Sequence, residues 1–292
     1  MYELIKLAEN DYYVDCPAKI GIVRVGGDEV VLIDSGNDRD AGKKVLRILE
    51  ANGWKLRAIF NTHSHADHIG GNRFLQERTG CAVYANGVEA AYTRYPILEP
   101  AGLYGGLPLG GLRHKFLMAQ PSDASELTEA TLPNGMKLLP LPGHSPDMVG
   151  FLTPDGTAYI ADCVSSAETL EKYGIGYTWD PDTAKKTLGY VKTLTAKRFV
   201  PSHAAVTEDI AALADKNIGA IDAVCETVLS FCAEPVTFEK LLQKVFGKYG
   251  VQATAEQYAL IGSTLRSYLT VLSEAGKLSY TFADNEMMWK TL

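Results

Sequence analysis

The chain has 292 residues, of which 46% are hydrophobic and 22% charged, close to the averages for a soluble globular protein. That length accommodates one large domain, or one medium and one small, and the composition excludes global disorder. A formal net charge of −7 disfavours broad nucleic-acid binding, which needs a basic face, so a small molecule is the expected partner.

The first residues, Met1-Tyr2-Glu3-Leu4-Ile5-Lys6, carry no signal-peptide pattern. No apolar run approaches the ~20 residues of a membrane span. Residues 19–25 read as a strand, followed by a Gly26-Gly27-Asp28 turn. Residues 29–34 are a short apolar run, as in a strand buried on both faces, and end at Asp34. Residues 40–52 read as a helix with Val45, Leu46 and Leu49 on one side. Residues 55–60 form another buried strand, which delivers Thr62-His63-Ser64-His65-Ala66-Asp67-His68-Ile69-Gly70-Gly71 at its C-terminal end.

Residues 92–130 interrupt the strand–helix rhythm with a stretch rich in Tyr, Gly, Pro and Leu. So long an irregular insertion is expected to be a lid, a binding loop or a dimer contact. A strand over 136–139 leads to Pro142-Gly143-His144-Ser145-Pro146-Asp147, and one over 157–161 leads to Asp162. A helix over 181–194 precedes Arg198-Phe199-Val200, which leads to His203. Rigid sheets aim functional residues from loops at strand ends, and here four such ends carry acidic or imidazole groups.

Residues 205–234 are expected to form helices that join the catalytic part to a tail. Phe238, Leu241, Leu242, Val245 and Phe246 make one apolar helix face. Thr254-Ala255-Glu256-Gln257 resembles a capping box, and the helix it opens stops at Gly276. Residues 278–282 and 287–289 flank Ala283-Asp284-Asn285-Glu286 as a β-hairpin. Two helices and a hairpin suggest a small winged-helix-like unit. It is nearly neutral, so packing, dimerisation or pocket closure is expected of it rather than DNA binding. The division expected is 1–215 for the catalytic domain and 216–292 for a C-terminal helical domain.

Five of the six histidines fall where a two-metal site needs them. Neutral imidazole with carboxylate suits zinc or iron. An HxH pair alone means little, and a lone His144 or His203 is more often structural. The HxHxDH spacing with two further histidines and Asp162, each at a strand end, is far harder to reach by chance. His114 is the leftover and reads as an ordinary loop residue. The five cysteines (Cys16, Cys81, Cys163, Cys225, Cys232) form no CxxC pair. An odd count without a signal fits reduced thiols and a cytoplasmic location.

On these residues the chain resembles the metallo-β-lactamase superfamily. Asp34 in Leu32-Ile33-Asp34-Ser35-Gly36 looks like its first motif, and His63 to His68 match its second. His144, Asp162 and His203 look like the third, fourth and fifth. The resemblance covers about residues 15–205. It implies an α/β fold, the αββα sandwich of two sheets flanked by helices. It implies two divalent cations, zinc foremost with iron or manganese as alternatives. His63, His65 and His144 would hold the first, Asp67, His68 and His203 the second, with Asp162 bridging. Asp34 would lie behind the ligands and hold their loop by hydrogen bonds; a plain turn role before Gly36 is the alternative. Zinc β-lactamases often carry a cysteine ligand near the fourth motif. Here that place is Asp162, with Cys163 beside it and expected to face the core. Flavin-linked diiron relatives place a Glu where this chain has His65, which favours hydrolysis over oxygen reduction.

The function so implied is a binuclear hydrolase. A water shared by two cations ionises near pH ~7 and attacks a carbonyl or phosphoryl centre, with Asp67 orienting the nucleophile or shuttling its proton. The substrate expected is a small ester, thioester or lactone, as in glyoxalase II-like and lactonase-like relatives. The alternatives are a phosphodiesterase or ribonuclease using the tail, and a mononuclear iron dioxygenase of the persulfide type. A homodimer is compatible with the sequence.

Overall fold

The computed structural model describes residues 2–292. Two β-sheets lie face to face and helices cover both outer sides. The first sheet has seven strands in sequential order. β1 (Glu3–Lys6), β2 (Asp11–Asp15), β3 (Ile20–Gly26) and β4 (Glu29–Ile33) form an antiparallel meander. From β4 the sheet continues parallel through β5 (Lys55–Phe60), β6 (Ala82–Ala85) and β7 (Ala124–Glu126). The connections carry α1 (Arg39–Ala51), α2 (Ala66–Ile69), α3 (Asn72–Thr79), α4 (Gly87–Arg94) and α5 (Leu98–Tyr104).

The second sheet orders its strands β11-β10-β9-β8: β8 (Lys137–Pro140), β9 (Val149–Leu152), β10 (Thr157–Ala161) and β11 (Arg198–Pro201). α6 (Ala167–Tyr173) and α7 (Pro181–Val191) lie between β10 and β11. β10 is parallel to β11, and both β8 and β10 are antiparallel to β9, so β8, β10 and β11 end on the same side.

Side-chain alternation explains the continuous apolar runs. In β4, Val30 and Leu32 pack outward on Val45 and Leu49 of α1, while Val31 and Ile33 face the second sheet. In β10, Ala158 and Ile160 meet Leu188 and Val191 of α7, while Tyr159 turns inward. Tyr159 needs room there: a Cβ on Gly21 would sit 2.8 Å from its ring.

The tail comprises α8 (Ala211–Phe231), β12 (Val236–Thr237), α9 (Phe238–Tyr249), α10 (Ala255–Glu274) and the hairpin β13 (Leu278–Ala283)–β14 (Glu286–Thr291). Asp284 and Asn285 both take positive φ, 50° and 63°, which lets a two-residue turn match the strand twist. Thr254 caps α10 by accepting from the Gln257 N–H.

α8 runs unbroken through 215/216. Its first half packs on the sandwich through Ala214 and its second half on the tail core through Val224 and Val228. The 92–130 insertion is less irregular than its composition suggests. It contains α5 and contributes β7, the edge strand beside β6. Three residues are too short a run for periodicity to reveal a strand. Among the described residues no helix is long and apolar enough to cross a membrane.

Candidate metal centre

The predicted residues emerge from the C-terminal ends of β4, β5, β8, β10 and β11, which converge on one edge of the sandwich. The link between the sheets is direct, since the Val149 N–H at the start of β9 donates to the Thr62 carbonyl. After β5 the chain is extended at His65 (φ −60°, ψ 145°) and then enters α2. His63 and His65 can therefore reach one point while Asp67 and His68 turn toward another. Gly70 and Gly71 are required by space rather than by dihedral. A Cβ on either would lie 2.3 Å from backbone atoms of Asn37 or Ser35.

Seven side chains meet in three overlapping groups: His63, His65 and His144; His63, His68 and Asp162; Asp67, His68 and His203. Within each group one ligand atom per residue lies within 4.8 Å of the others. His63 Nε2 is 3.0 Å from His65 Nδ1, which is 3.1 Å from His144 Nε2. His203 Nε2 lies 3.2 Å from Asp67 and 3.3 Å from Asp162.

The outer ring nitrogens are tied back. His68 Nδ1 bonds Asp34 Oδ2 at 2.8 Å, His63 Nδ1 meets Thr62 Oγ1 at 3.0 Å, and His203 Nδ1 meets the Pro17 carbonyl at 2.9 Å. Asp34 Oδ1 accepts from the Thr62 N–H and Oδ2 from the Thr62 hydroxyl. A carboxylate can only accept, so the Thr62 hydroxyl must donate to it and accept from His63. Asp34 thereby sets the tautomer of two histidines, leaving both Nε2 lone pairs free and inward. Asp34 itself adopts φ 63°, a conformation Asp tolerates better than most residues.

These donors fit cations. His68 Nε2 and Asp162 Oδ1 are buried without any hydrogen-bond partner. They lie 3.3 Å apart yet are not aligned to bond each other. Buried orphans of this kind are costly in protein alone, and a cation between them removes the cost. The metal-free electrostatics are polarised accordingly. Burial holds the His63 imidazole well below its ordinary range and His144 down to about 3. At His203 burial is outweighed by the nearby Asp162 and Asp67 carboxylates, which push it up to about 10. His68 is likewise raised, because the carboxylates of Asp162, Asp67 and Asp34 overcome burial. Asp67 and Asp162 are held low, as His68 and His203 outweigh their desolvation.

Cys163 lies beyond the end of β10, half-buried against the outer core of the second sheet, and burial pushes its thiol up. His114 belongs to no metal group; its Nδ1 accepts from the Phe116 N–H. Residues that sequence reasoning missed surround the histidines. Glu89 is buried and bonds Ser64 and Ser145. Glu99 of α5 faces His65 Nε2 at 3.6 Å. Tyr177 sets its ring 5.1 Å from His65 and 5.6 Å from His144. Nothing in their local sequence separates them from other Glu and Tyr residues; only the fold brings them here.

Fold and site together define an αββα sandwich with a histidine–aspartate cluster at its edge that could hold metal. Residues 13–203 match the Metallo-beta-lactamase superfamily, and the chain belongs to it. Over 132 residues the chain is 34% identical to a hydroxyacylglutathione hydrolase of Methylococcus capsulatus, a match covering 45% of this chain and 41% of that protein. Over 157 residues it is 31% identical to a probable metallo-hydrolase of Bacillus subtilis, covering 53% of this chain and 67% of that one. The match thus spans less than half of the first relative's length. A beta-lactamase domain protein from Burkholderia ambifaria superposes with a TM-score of 0.76 at 18% identity, covering 99% of this chain and 94% of its own. A metallo-beta-lactamase family protein from Thermus thermophilus gives 0.71 at 16% identity, covering 100% and 98%. At such identities the likeness is one of fold.

Proposed function

We propose that the protein is a binuclear metal-dependent hydrolase of a small ester, thioester or lactone. The observation that carries this reading is the pair of inward, unpartnered ligand atoms, His68 Nε2 and Asp162 Oδ1, inside overlapping His/Asp groups. His63, His65 and His144 would hold one divalent cation and Asp67, His68 and His203 a second, with Asp162 shared. When bound, the cations, zinc foremost with iron or manganese as alternatives, supply hydroxide near neutral pH and polarise the scissile carbonyl.

The side chains do the rest. Asp67 is partly open to solvent and close to His203, so it would orient the attacking water or shuttle its proton. Burial pushes the Tyr177 hydroxyl well above its ordinary range. It stays protonated and can donate a hydrogen bond to an oxygen that gains charge. Glu99 places a carboxylate 3.6 Å from the outer nitrogen of His65. The opening above the centre is about 300 Å³, the lower end of the range for small-molecule sites. Phe116 from the insertion and Glu256 and Leu260 from α10 wall it. Insertion and winged-helix-like tail therefore act together as a roof that limits substrate size. No lysine or arginine lines this opening among the described residues, which favours a small substrate over a polyanion.

Elemental analysis of the untreated protein tests the reading. Two equivalents of zinc, manganese or iron, with turnover on an ester, thioester and lactone panel, support it. One equivalent of iron with no second uptake would redirect it to an oxygenase, and no metal after reconstitution would remove it.

A further inference from the structure

Glu89 lies on α4, which precedes the insertion, and it is 1% exposed. Its carboxylate takes four hydrogen bonds. Oε2 accepts from the Ser64 N–H at 2.9 Å and the Ser64 hydroxyl at 2.6 Å. Oε1 accepts from the Ser145 hydroxyl at 2.7 Å and the Asp147 N–H at 3.1 Å. Ser64 sits between His63 and His65, and Ser145 follows His144. One buried carboxylate thus ties the loop after β5 to the loop after β8. The start of α4 is pressed onto the second loop as well. Asn86 donates to the Asp147 carbonyl at 3.1 Å and the Val88 N–H to Asp147 Oδ2 at 2.8 Å. A Cβ on Gly87 would meet that oxygen at 2.1 Å. No recorded hydrogen bond of Glu89 goes to Asp67, His68, Asp162 or His203.

We propose that Glu89 is the positioning residue that registers His144 against His63 and His65, holding the three-histidine group more directly than the Asp67–His68–His203 group. The inference rests on the metal-binding reading above. The carboxylate suits the task because all four partners donate. A glutamine presents one oxygen and one NH2. The serine hydroxyls can turn round and accept, but the Ser64 or Asp147 backbone N–H cannot, so one loop loses its anchor.

Cobalt(II) binding separates the two groups. His203→Ala leaves the three-histidine group to be read alone, and His144→Ala leaves the other. Glu89→Gln in the first background is expected to weaken cobalt binding about 10–100-fold, the usual effect of losing an outer carboxylate. In the second background the loss is several-fold smaller, because His68 is tied to Asp34 and none of the bonds of Glu89 reaches that group directly. In the metal-free protein with both histidines intact, Glu89→Gln speeds hydrogen exchange at the Ser64 or Asp147 amide. Equal weakening in both backgrounds, or none in either, overturns the proposal. If Glu89→Gln does not fold, Ser145→Ala removes one of the four bonds with little volume. It must still weaken cobalt binding by the His203→Ala protein several-fold, as expected for the loss of one buried hydrogen bond, and an unchanged value overturns the proposal. A wild-type chain that takes up no cobalt overturns the metal reading itself, which is a distinguishable failure.

Discussion

Asp34→Asn is the sharpest test of how the centre is held. The substitution keeps size, and Asn tolerates φ 63° as readily as Asp. Oδ1 can go on accepting from the Thr62 N–H. An NH2 then replaces Oδ2, which faces the Thr62 hydroxyl and His68 Nδ1. Its two hydrogens satisfy both partners only if both become acceptors. His68 must then carry its proton on Nε2. Thr62 must donate to His63 Nδ1, which puts the His63 proton on Nε2 as well. Both inward nitrogens lose their lone pairs. The alternative is to keep the tautomers and break the bonds, at about 1–3 kcal/mol per buried group. Either route predicts a loss of about 10–100-fold in metal affinity at each group, or about 1.4–2.8 kcal/mol. Competition titration of the metal-free variant against a chelator measures it. Wild-type affinity at both groups, in a variant whose tautomers cannot be right, would refute the relay through Thr62.

Four further outcomes are expected. Uptake of a cation by the Asp67–His68–His203 group releases a proton, because His203 holds one up to about pH 10 in the metal-free chain. Apparent affinity therefore rises about tenfold per pH unit between ~6.5 and ~9 per displaced proton, seen by calorimetry in buffers of different ionisation enthalpy. The same raised value means that, without metal, the His203 contribution to stability is complete below pH ~6.5 and is lost as pH rises through about 10. A chelated protein melted across that window reports the sign. Saturating zinc at a hundredfold over Kd adds about 2.7 kcal/mol, or roughly 5–10 °C for a domain of this size; a scan with and without chelator checks it. Tyr177→Phe is expected to lower kcat about 100-fold with little change in KM, and an equal loss carried by KM would place Tyr177 in ground-state binding.

The candidate ligands and the strands that deliver them are legible in the chain before any fold is known. His63, His65, Asp67 and His68 are local, so their spacing shows in a single loop. The apolar runs 30–33 and 58–60 identify strand ends buried on both faces, because covering them on two sides leaves no polar register. The turn at Asp284-Asn285 and the glycines at 70 and 71 are equally readable, since steric demands on φ or on a missing Cβ leave a residue-level mark. Short edge strands are not. β7 has three residues, and its pairing with β6 comes from the sheet rather than from its own pattern.

What stands behind and above the ligands emerges only when the chain is folded. Glu89 and Glu99 on helices and Tyr177 in a loop are remote in sequence from most of the segments they approach. A carboxylate or phenol carries no periodic signal, so its role depends on which loops meet it. The same holds for α8, whose two halves serve two cores, and for the packing of the insertion on α10. Local spacing specifies ligand chemistry, whereas outer hydrogen bonds and pocket walls arise from long-range packing, which a linear pattern does not encode.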